Sequence, residues 1–107
     1  MINKIQLIQK LKKLLKEHFG NNIKDVILFG SQADGTACEF SDFDVLIILN
    51  NEYDWKYRDR MTDIVYDMEL EYDIIFDKHL ITVNELSNSL KGAEQIYKNA
   101  IKYGVYA

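Results

Sequence analysis

Proline is absent from this 107-residue chain, which carries one cysteine, one tryptophan and two histidines. A single Cys38 excludes an intrachain disulfide, so nothing points to an oxidising compartment. His18 and His79 are its only conceivable partners in a nucleophilic pair; both lie far from it in sequence, and Cys38 reads as a loop residue. No repeat, low-complexity stretch or linker-like segment interrupts the chain, so residues 1–107 are expected to form one domain. Long apolar runs are missing too. Val45 to Leu49 is the longest, far short of the ~20 residues that cross a bilayer. The first residues are polar and lysine-rich, unlike a secretory leader, so a cytoplasmic protein without membrane association is expected. Positive charge is also scarce, with 13 Lys and Arg against 17 Asp and Glu, a net charge of −4 and a pI near 5.1. The one basic cluster, Lys10, Lys12, Lys13 and Lys16, fits the solvated side of a helix, and nucleic-acid binding is not expected.

What is present is an ordinary globular composition, 48% hydrophobic and 28% charged. Ile5, Ile8, Leu11 and Leu15, with Leu7 and Leu14, recur at helical spacing and predict a helix over 2–19. Asn3 suits its cap, and Gly20-Asn21-Asn22 its end. Val26 to Phe29 predicts a buried strand that ends at Gly30-Ser31. Phe43 to Asn50 is apolar on both parities, as a central strand covered on both faces requires. Met61, Ile64, Val65 and Met68 mark an amphipathic helix over 53–70, and Glu71 to Phe76 predicts a third strand. Thr82 with Glu85 fits a capping box opening a helix over about 83–90. Gly92 would break it before a last helix over 93–102. The order α-β-β-α-β-α-α predicts an α/β (α+β) fold, a small mixed β-sheet flanked by helices.

The chemistry concentrates in Gly30-Ser31 and Asp42-Phe43-Asp44. Residues i and i+2 of a strand share a face, so Asp42 and Asp44 aim two carboxylates together at the mouth of an apolar strand. Like charges so placed call for a cation, and hard oxygen ligands suit Mg²⁺ with substrate phosphates. Asp73 is the acid in the predicted third strand; if that strand adjoins the Asp42 strand, three carboxylates converge and can hold two metal ions. Glycine permits close backbone approach, and turn N–H groups with the Ser31 hydroxyl can bind phosphate oxygens. Either motif alone is usually a turn or a solvated loop edge. Their conjunction occurs by chance at about 10⁻³ in such a chain, from average residue usage. A P-loop is excluded, because Thr36 and Ala37 stand where Lys and Ser/Thr belong.

Gly30-Ser31, ten residues, then Asp42-Phe43-Asp44 resembles the signature of the minimal nucleotidyltransferases of the DNA polymerase beta-like superfamily. Ser41-Asp42, Ala33-x-Gly35 and the segment Ile96 to Tyr106 are similar to the family pattern as well. The resemblance implies a nucleotidyltransferase fold that uses ATP as nucleotide donor with two Mg²⁺ ions. It implies Asp42, Asp44 and Asp73 as metal-binding and catalytic residues, Asp73 helping to deprotonate the nucleophile, and Gly30 and Ser31 as triphosphate ligands. It implies an antitoxin that adenylylates a tyrosine of a HEPN-domain toxin partner. Gln32 and Asp34 stand where family members commonly carry arginine, which weakens phosphate neutralisation. Two alternatives therefore stay open: a weak or inactive member that neutralises its partner by binding alone, and a small-molecule, antibiotic-type nucleotidyltransferase.

Overall fold

The computed structural model describes residues 3–30, 42–88 and 94–107. Helix α1 spans Lys4–Phe19 and opens with a capping box in which the Asn3 side chain accepts from the Gln6 N–H. A short 3₁₀ turn, Gly20–Asn22, leads into strand β1, Ile23–Phe29. Strand β2 is Phe43–Leu49, helix α2 is Trp55–Tyr72 and strand β3 is Phe76–Thr82. Helix α3, Val83–Asn88, helix α4, Gln95–Tyr103, and strand β4, Val105–Tyr106, complete the chain. The capping box expected at Thr82 is present: Glu85 N–H donates to Thr82 Oγ1 and Thr82 N–H to Glu85 Oε1, both at 3.1 Å.

The four strands form one mixed sheet in the order β3-β2-β1-β4. β2 runs antiparallel to β1 and parallel to β3, so a crossover is required between β2 and β3, and α2 supplies it. Both faces of the sheet are covered, as the apolar character of β2 demanded. Val45, Ile47 and Leu49 pack with Leu7, Leu11 and Leu15 of α1 and Met61, Val65 and Met68 of α2. Leu46 and Ile48, with Ile27, Phe29 and Ile81, pack under Tyr97 and Ala100 of α4. Full burial of each such side chain contributes about 1.5–3 kcal/mol, so this three-layer core stabilises the sheet that carries the site.

The third strand departs from the expectation over 71–76. Tyr72 still packs on the α1–α2 side of the sheet, which extends α2 by one half-turn beyond Leu70. Asp73 then ends the helix as its cap, in the left-handed conformation (φ 54°, ψ 51°), with its N–H bonded to Glu69 O. β3 begins three residues later and carries Asp77, Lys78 and His79 before its apolar half. β4 has only two residues, too few to show any period, and was not expected as a strand. Among the described residues no helix is long and apolar enough to cross a membrane.

Candidate active site

Asp44 is the second residue of β2 and Asp77 the second residue of β3. The two strands are parallel and in register, and Asp44 pairs directly with Asp77. Strand periodicity sends Asp77, His79 and Ile81 to one face of β3, and Asp44, Leu46 and Ile48 to the same face of β2. Ile81, Leu46 and Ile48 pack under α4, so the polar members lie on the α4 side at the rim of that layer. One ligand atom each from Asp44, Asp77 and His79 lies within 4.8 Å of the others. His79 Nε2 is 3.6 Å from Asp77 Oδ2. The imidazole packs against the rings of Phe29 (centroids 5.4 Å apart) and Tyr97 (6.3 Å).

The electrostatics are dominated by an acidic pair. Burial pushes the Asp44 carboxyl up from its ordinary value; the neighbouring Asp77 adds to the rise, His79 opposes it, and Asp42 adds a smaller push. The carboxylate form of Asp44 is therefore held against desolvation and a like charge, the situation a cation relieves. A cleft of about 500 Å³ opens here, lined by Gly30, Asp44, Asp77, His79, Asn99 and Tyr103 among others. Two carboxylates and an imidazole are suitable donors for a divalent ion, so the residues present fit a metal site.

Gly30 follows Phe29, whose Cα pairs with that of Asp44 across the β1–β2 ladder. Its φ is +72°, and a Cβ at this position would meet Asp44 Oδ2 at 2.4 Å. Only glycine lets β1 end this close to the carboxylate. Asp42, exposed, immediately precedes β2 and acts on Asp44 through its charge; it lies outside the three-residue cluster. Ser31, Gln32, Asp34 and Cys38 lie outside the described residues.

The expected third acid, Asp73, is not on a strand; it is an exposed helix cap. Asp77 holds the strand position opposite Asp44. Sequence reasoning did not single out Asp77 or His79, the residues that the structure brings together with Asp44. The signal was their i, i+2 spacing, which becomes meaningful only once Phe76–Thr82 is recognised as the strand.

A mixed sheet between helix layers, with an acidic pair beside a glycine turn, is an arrangement suited to holding a cation and phosphate oxygens. Residues 8–106 match the nucleotidyltransferase domain family, and the chain belongs to it. Three relatives from Methanocaldococcus jannaschii carry the name "Putative protein adenylyltransferase". MJ1305 is 36% identical over 81% of this chain, which spans 59% of that relative's length. MJ0604 is 28% identical over 96% of both chains. MJ0141 is 35% identical over 66% of this chain and 72% of its own length. Two solved structures share the fold, each with a TM-score of 0.59 and 20% identity, over 92% of this chain and 69% of the other. They are a toxin-antitoxin with AMP-PNP and a mutant of the toxin-antitoxin MntA-HpeT.

Proposed function

We propose that this chain transfers AMP from ATP to a hydroxyl of a partner protein, and that the partner is a HEPN-domain toxin modified at a tyrosine. The observation that carries the reading is the in-register pair Asp44–Asp77 at the mouth of a cleft, in a chain of the nucleotidyltransferase domain family. A protein acceptor is supported by the names of the relatives, and an antitoxin role by the toxin-antitoxin neighbours.

In this reading the acceptor oxygen bonds to the α-phosphorus of ATP. The α–β phosphoanhydride bond breaks, and pyrophosphate leaves with its electron pair. The hydroxyl proton passes to a carboxylate, for which Asp77, exposed at the cleft mouth, is placed. Asp44, Asp77 and the nearby Asp42 would hold a divalent cation, which supplies charge neutralisation for the phosphates and aligns donor with acceptor. Gly30 brings backbone N–H groups close to the phosphates, joined by Ser31 on the motif match. The rigid strands fix these groups before substrate arrives, which is where most of the catalytic benefit arises in phosphoryl-group transfer.

Neutralisation by binding alone is favoured by one observation, Gln32 and Asp34 in place of two arginines. A single assay decides. A HEPN partner incubated with labelled ATP and a divalent cation should gain AMP, and Asp44→Asn should abolish the label. A stable complex with no label on the partner would instead establish occlusion.

A further inference from the structure

The cluster at the rim of the sheet is not purely acidic. One of its three members is an imidazole, His79, which packs against two aromatic rings. Phe29 and Tyr97 lie 5.4 and 6.3 Å away between centroids. The side chain is 25% exposed, against 56% for Asp77. Nε2 stands 3.6 Å from the Asp77 carboxylate, beyond hydrogen-bond reach but suited to two ligands of one ion. Ligands bound to a first-row divalent ion at about 2.1 Å sit roughly 3–4 Å apart, so a small rotamer adjustment closes a set now within 4.8 Å.

We propose that His79 is a direct metal ligand, and that its nitrogen makes this a site for Mn²⁺ in preference to Mg²⁺. The proposal rests on the reading above that Asp44 and Asp77 hold a divalent cation. Mg²⁺ is a hard ion that favours oxygen donors and keeps its waters. Imidazole suits the transition ions, whereas carboxylates accept either class. Mn²⁺ satisfies both halves of the donor set: it takes carboxylate and phosphate oxygens as Mg²⁺ does, and tolerates nitrogen better. An all-carboxylate site would discriminate less between the two ions. His79 is the residue that turns a general divalent site into a selective one.

The test uses the whole chain with Mn²⁺ alone, without nucleotide or partner. Pulsed EPR of the Mn²⁺-loaded protein should show a directly bound ¹⁴N, and the pattern should change to that of ¹⁵N when the histidines are ¹⁵N-labelled. This readout needs no substitution, so folding of a variant is not at issue. In parallel, Mg²⁺ should displace bound Mn²⁺ only at an excess of about tenfold or more. His79→Gln, which offers an amide oxygen, should lose most of that preference while keeping Mg²⁺ affinity within about threefold. Mn²⁺ bound without nitrogen coupling, yet lost in Asp44→Asn, would overturn the role of His79 and leave the acidic site standing. Mn²⁺ binding that Asp44→Asn does not weaken, or no binding at all, would overturn both.

Discussion

Asp44 and Asp77 face one another across two parallel, in-register strands, each one residue in from the start of its strand. Nothing about folding requires two acids there, and their pairing costs stability. The cost is visible in Asp44, whose carboxyl burial and Asp77 together push up from its ordinary value.

That cost gives a pH-dependent prediction. A carboxyl raised in the folded state contributes stability that is fully present below its unfolded value. The contribution is lost as pH rises through the folded value. Metal-free Asp44→Asn should therefore melt higher than wild type at neutral pH, and the difference should vanish in acid. Added Mn²⁺ should raise the melting temperature of wild type but not of Asp44→Asn. Thermal melts at several pH values, with and without the ion, check both statements.

Gly30 should tolerate no side chain. At φ +72° an alanine would be strained by roughly 1–2 kcal/mol, and its Cβ would fall 2.4 Å from Asp44 Oδ2. Gly30→Ala should lower stability by about that amount and weaken Mn²⁺ binding, because the carboxylate must move. Denaturant unfolding and an ion titration measure the two effects separately.

Thr82 is buried and caps α3 reciprocally with Glu85, away from the cleft residues. Thr82→Ala should cost about 1 kcal/mol and leave the ion affinity unchanged. Loss of ion binding in this variant would mean that α3 positions His79 through β3.

Much of the fold was legible in the sequence. The apolar parities of β2, the stripe of α1 and the capping box at Thr82 each depend on local patterns of a few residues, and all three are present. The third strand was misread for a physical reason. Ile74, Ile75 and Phe76 form an apolar run, but only Phe76 lies in the strand, and Ile75 is exposed. After Phe76, β3 carries Asp77, Lys78 and His79, and of these Asp77 and His79 line the cleft instead of the core. A strand whose first half is polar carries no hydrophobic period, so tertiary pairing with β2, invisible in sequence, decides its register. The same misreading put Asp73 on a strand, where the structure has a helix cap, and left Asp77 unnoticed.

Asp73 and Asp77 therefore supply the most direct test. Asp73→Asn keeps a residue that tolerates the left-handed cap, and Asp77→Asn keeps the strand. Mn²⁺ affinity and AMP transfer to the partner should fall by about 100-fold or more in Asp77→Asn, as for loss of a group acting on the reacting phosphates. Both should stay within about twofold of wild type in Asp73→Asn, since Asp73 is an exposed helix cap outside the Asp44, Asp77 and His79 cluster. The opposite ranking, with Asp73→Asn inactive and Asp77→Asn intact, would contradict the account.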